Sequence, residues 1–101
     1  MIKNFVSTDG KGFQMTFANG LTASVQWGRG NYCGNYYNEE QATHCRGAQC
    51  NTAEVAVWDK NGKWLNACDF TTEDVCGSDV CGHMTTEQVV DFLCAVKNAN
   101  V

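Results

Sequence analysis

Residues 13–27 limit what this chain can fold into more than any other stretch. Phe13, Met15 and Phe17 alternate with Gln14 and Thr16, Asn19-Gly20 follows, and Leu21, Ala23, Val25 and Trp27 then alternate with Thr22, Ser24 and Gln26. Period-two alternation places successive side chains on opposite faces, so both halves read as strands with one buried face. Asn-Gly supplies two residues that tolerate positive φ, as a type I′ turn requires, and the stretch is expected to be a tight hairpin.

A second hairpin is expected from Ala53–Trp58 through Asp59-Lys60-Asn61-Gly62 into Lys63–Cys68. If Gly62 takes the left-handed position of a three-residue loop, Trp58 and Trp64 become cross-strand neighbours, a pair contributing about 0.2–1 kcal/mol. Ile2–Ser7 reads as a further strand turning back at Asp9-Gly10. Near the end, Thr85 is placed to cap a helix, with Gln88 three residues on to complete a capping box. Val89, Phe92, Leu93 and Val96 then share one helical face. The expected core is Phe13, Met15, Phe17, Leu21, Ala23, Val25, Val55, Val57, Phe92, Leu93 and Val96. At 101 residues and 44% hydrophobic content, the chain suits a single domain over 1–101. The expected class is α+β: an antiparallel sheet of about five strands, a C-terminal helix packed on one face, and two long cysteine-rich loops.

Those loops, residues 28–52 and 69–84, exceed the usual connection of about 4–6 residues, so something must order them. The first contains Cys33, His44, Cys45 and Cys50; the second contains Cys76, Cys81 and His83. "HCRGAQC" and "CGSDVCGH" each separate a cysteine pair by four residues around a glycine. Thiolates converging from two turns suit tetrahedral zinc, so Cys45, Cys50, Cys76 and Cys81 form a candidate structural zinc site, with His83 or His44 able to replace a cysteine. Free buried thiols and disulfides are the other readings. Cys68 and Cys94 are accounted for by packing alone. The N-terminus has no apolar run long enough for an export signal, which favours a cytoplasmic setting with reduced thiols.

Seven Lys and Arg against eleven Asp and Glu give a net charge of -4, which argues against binding a nucleic-acid backbone or an anionic membrane surface. No transmembrane run is present in the sequence. Catalysis finds little support. Cys33 with His44 or His83 lacks any flanking motif for a nucleophile, Glu39-Glu40 and Glu73-Asp74 read as solvated surface, and "GRG" is too short for a dinucleotide fingerprint. A non-enzymatic role is expected.

The first long loop concentrates both arginines, Arg29 and Arg46, and all three tyrosines, with Trp27 at its root. Trp27, Arg29, Tyr32 and Arg46 are therefore the candidate partner- or ligand-binding residues: guanidinium forks suit phosphate or carboxylate, and aromatic faces suit stacking. Trp27 also continues the core face of Leu21, Ala23 and Val25. The strings "FANGLTASVQWGRGNYC", "AEVAVWD" and "GKWL" resemble a group of small proteins encoded by tailed bacteriophages, chiefly over the two hairpins. That resemblance implies a small accessory protein acting in the host bacterial cytoplasm, where it would bind and inhibit a host protein. A binder sequestering a small anionic, nucleotide-like ligand and a structural zinc-binding module are the alternatives. An exposed apolar patch would favour the protein partner, whereas Arg29 and Arg46 converging on a pocket would favour the nucleotide.

Overall fold

The computed structural model describes residues 4–8, 10–27, 50–71 and 79–100. Strands β1 (Phe5–Ser7), β2 (Gly12–Thr16), β3 (Thr22–Gln26), β4 (Ala53–Trp58) and β5 (Trp64–Leu65) form consecutive antiparallel neighbours. A 3-10 helix (Ala67–Phe70) follows, then β6 (Cys81–Met84) and helix α1 (Thr86–Lys97). Among the described residues the sheet thus has six strands, and the α+β architecture read from the sequence is the one observed.

The extra strand lies in the segment expected to be loop. β5 pairs with Val57 and Trp58 of β4, whereas β6 pairs with Ala53 and Val55, so two short strands share one flank of β4. Ala67 N–H donates to the Asp79 carbonyl at 3.1 Å, closing the gap between them. The β4–β6 register shifts between Ala53, opposite Met84, and Val55, opposite Cys81. β6 absorbs the extra residue as a bulge, and within it His83 takes φ +53°, a left-handed conformation that histidine tolerates better than branched residues.

Both Asn-Gly hairpins use one loop design. Phe17 N–H donates to the Leu21 carbonyl and Gly20 N–H to the Phe17 carbonyl, each at 2.9 Å; Asp59, Lys63 and Gly62 repeat the pattern at 2.9 and 3.0 Å. Each is a three-residue loop closed by a left-handed glycine, Gly20 at φ +89° and Gly62 at +81°. The second loop is as expected, and it aligns Trp58 with Trp64 at a centroid separation of 5.4 Å. The first corrects the two-residue type I′ turn, because Asn19 does not have positive φ. Its side chain is occupied elsewhere. Asn19 Oδ1 accepts from Leu21 N–H at 3.0 Å, while Nδ2 donates to the carbonyls of Val96 (2.8 Å) and Ala99 (3.1 Å) at the end of α1. A hairpin loop is thereby tied to the C-terminal end of a helix, where it adds a side-chain donor to the carbonyls of the last turn and the residues after it.

At its other end α1 has the expected capping box: Gln88 N–H donates to Thr85 Oγ1 at 3.2 Å, and Thr85 N–H donates to Gln88 Oε1 at 2.8 Å. Glu87, exposed in the first turn, is held below the ordinary glutamate range by a backbone hydrogen bond and by the Thr86 hydroxyl. A depressed carboxylate pKa supports folding above the unfolded value and loses that support as pH falls through the folded one.

The helix packs on β3, β4, β6 and the 3-10 helix. Leu21, Ala23, Val25, Val55, Val57, Phe92 and Val96 are buried as expected, joined by Ala53, Ala67, Cys81 and Met84 from segments without clear periodicity. Phe13, Phe17 and Leu93 are only partly buried at the core's margin, and Met15 is half-buried. The β1–β2 side of this face is therefore less covered, and Phe5, beside Met15 on that face, is 73% exposed.

Gly12 makes the hinge between β1 and β2 possible. At φ +152° it approaches β3 so closely that a Cβ would collide with the Val25 carbonyl and lie 2.8 Å from Gln26 Cα. Gly12→Ala is expected to lower stability by about 1–3 kcal/mol, since β2 must shift outward against only the short β1. Urea denaturation checks this; an unchanged midpoint would mean that β2 does not approach β3 in this way.

Candidate functional site

A concave groove lined by described residues lies where β3 ends and β4 begins. Trp27 closes β3, and the chain is next described at Cys50, three residues before β4. Across from them stands the N-terminal half of α1. The groove between has a volume of about 360 Å³ and is lined by Phe13, Trp27, Cys50, Val89, Val90 and Leu93, with Met84 at its base.

Each wall has a physical origin. Alternation along β2 and β3 directs Phe13 and Trp27 to the helix side, where their rings meet edge to face at 6.3 Å and 72°. This orientation is favourable for aromatic quadrupoles and holds the Trp27 ring upright at the rim. Trp27 is half-buried: it packs against the core and presents one side to the groove. The helix contributes Val89 and Leu93 from its expected apolar face. It also contributes Val90, about 100° further round and 57% exposed. Among the described residues, no charged side chain belongs to this lining.

The candidate site residues fall into separate groups. Trp27 and Cys50 come together on the groove. Cys50 is half-buried. Cys81 is not with them: it is fully buried in the core opposite Val55 and is disulfide-bonded. His83 is exposed on the β6 bulge. Arg29, Tyr32, Cys45, Arg46 and Cys76 lie outside the described residues. Among the described residues no three His, Cys, Asp or Glu side chains gather as a metal ion would require.

Two cysteine assignments need correction. Cys68, read as simple packing, is disulfide-bonded, as is Cys81; the expectation of reduced thiols therefore does not hold for this pair of positions. A disulfide sulfur has no thiolate charge to offer, so Cys81 in this state does not serve zinc. Cys94, also read as packing, is exposed and free.

Val90 is a site residue that pattern reading missed. It stands where an exposed polar residue would be ordinary, and that mismatch was the available signal. Among the described residues, no helix is long and apolar enough to cross a membrane. No protein-family model, curated protein or solved structure matches the chain, so its function is argued from the geometry of this groove.

Proposed function

We propose that the chain is a non-enzymatic binding protein whose groove between α1 and the ends of β2–β4 receives an apolar side chain or short apolar segment of a protein partner. The observation that carries this is the apolar lining, with Val90 exposed at its rim and Phe5 exposed on the adjoining sheet face. Apolar surface left open at an aromatic-walled cleft is the usual material of an interface centre. A nucleotide-like anion is favoured less, because the described lining is mostly apolar.

The resemblance to proteins of tailed phages makes a bacterial host protein the partner class, and occupation of its surface the means of inhibition. The disulfides at Cys68 and Cys81 favour an oxidising setting, such as the bacterial periplasm or cell surface, over the cytoplasm anticipated from the N-terminus.

Photo-crosslinking in bacterial cells tests the proposal, with the cross-linker placed either at Thr86, on the groove, or at Lys97, in the last helical turn. A dominant adduct is expected from Thr86 alone, and Val90→Asp is expected to reduce it about tenfold or more, as loss of an interface anchor does. Val90 is exposed, so its replacement leaves the fold intact. Adducts of equal strength from both positions, or adducts indifferent to Val90→Asp, would remove the groove from consideration.

A further inference from the structure

The chain contains one chemical motif twice in nearly the same backbone geometry. Asn19-Gly20 and Asn61-Gly62 each end a three-residue loop, each glycine is left-handed, and each glycine N–H donates to the residue that opens the turn, at 2.9 Å to Phe17 and 3.0 Å to Asp59. An asparagine followed by glycine is prone to cyclise. The glycine nitrogen attacks the asparagine side-chain carbonyl carbon, ammonia leaves, and a succinimide forms; water then opens the ring to aspartate or isoaspartate. The reaction requires the side chain to swing towards the following nitrogen, which here has the same hydrogen bond in both loops. Side-chain restraint is what separates them.

Asn19 is restrained on all sides. Its amide donates to Val96 at 2.8 Å, Ala99 at 3.1 Å and Lys97 at 3.3 Å, and its carbonyl accepts from Leu21 at 3.0 Å. To cyclise, it must release the end of α1. Asn61 is exposed, and its backbone N–H donates to Asp59 Oδ1 at 2.8 Å. Nothing lies within 4 Å of the position a Cβ would occupy at Gly62, whereas at Gly20 the Lys60 Cβ stands 3.6 Å away. Space and side-chain freedom coincide at one loop only.

We infer that Asn61 is a selective site of spontaneous deamidation in the native protein, and that Asn19, in the same sequence context, is protected by its tie to the helix. Conversion at Asn61 adds a negative charge two residues from Asp59. In the isoaspartate form it also lengthens the backbone of the loop that aligns Trp58 with Trp64. The product is therefore an altered hairpin on an otherwise intact fold.

Peptide mapping by mass spectrometry, after incubation of the native chain in mildly alkaline buffer, tests this directly. The mass gain of an amide-to-acid conversion is expected in the peptide containing Asn61, with conversion at Asn19 slower by about tenfold or more because it waits on local opening. In denaturant the two rates should become comparable, since only the fold distinguishes the sites. Equal rates in the native chain, faster conversion at Asn19, or absence of conversion at Asn61 while denatured chain reacts would each overturn the inference. Asn61→Gln should abolish the native-state signal; its persistence would place the reaction elsewhere.

Discussion

Phe92→Ala is expected to destabilise the protein by about 3–5 kcal/mol, enough to leave a domain of this size partly unfolded near physiological temperature. Phe92 is the largest fully buried side chain among the described residues, and it stands where the helix, the sheet and the 3-10 helix meet. Its ring meets Phe70 nearly at right angles, 81° at 6.4 Å, so truncation both opens a cavity and removes Phe70's packing partner. Close-packed interiors collapse only partly around such a loss, and here the sheet on one side cannot follow. Leu93→Ala, one residue on, should cost less, because Leu93 is half-buried on the groove wall. Thermal melts of both variants make the check. A Phe92→Ala midpoint close to wild type, or a larger loss from Leu93→Ala, would mean that the helix is seated in another rotation.

The parts of the fold that were legible beforehand follow short-range rules. Alternation set the faces of β2, β3 and β4, Gly62 set the Trp58–Trp64 register, and Thr85 with Gln88 marked the start of α1. The first hairpin loop was misjudged for a long-range reason: Asn19 bonds to carbonyls 77 and 80 residues away, and no local signal encodes that. β6 escaped for a different reason. Its four residues, Cys-Gly-His-Met, include a bulge that breaks alternation, so Cys81 and Met84 entered the core unannounced. Ala53 and Ala67 did so because alanine is apolar without signalling a face.

The candidate site was legible in part. Trp27 could be placed at the end of β3 and at a rim, since a strand that alternates strictly must expose its last residue somewhere near the sheet's margin. The opposite wall could not be placed, because Val90 lies off the apolar face expected for α1. Only the seating of the helix shows that this flank overhangs the ends of β2–β4. Disulfide bonding at Cys68 and Cys81 was hidden as well. Spacing constrains which cysteines can meet, but seven of them in one chain allow many connectivities, and redox state depends on the surroundings.

Reduction of the native protein should therefore have a large effect, about 2–5 kcal/mol of stability, visible as a fall in melting temperature of about 10 °C or more. The size of the effect follows from where the bonded cysteines sit. Cys81 is fully buried in β6, a strand of four residues held along the flank of β4 across a bulge, and Cys68 lies in the single-turn 3-10 helix beside it. Both elements are only four residues long, and both pack against the helix that carries Phe92. Covalent closure removes chain entropy from the unfolded state that these short elements could not offset by pairing alone. Cys81→Ala should reproduce the loss without reductant, and reductant should then add less to the variant than to the wild type. Adding zinc to the reduced chain tests the other reading of the cysteine spacing, in which Cys45, Cys50, Cys76 and Cys81 share a metal. No recovery is expected, because Cys50 lies on the groove upstream of Ala53 while Cys81 is enclosed opposite Val55. Full recovery with one bound zinc, or a melting temperature indifferent to reductant, would show that thiolates rather than disulfides fasten this part of the molecule. It would also return the protein's working environment to the reducing cytoplasm.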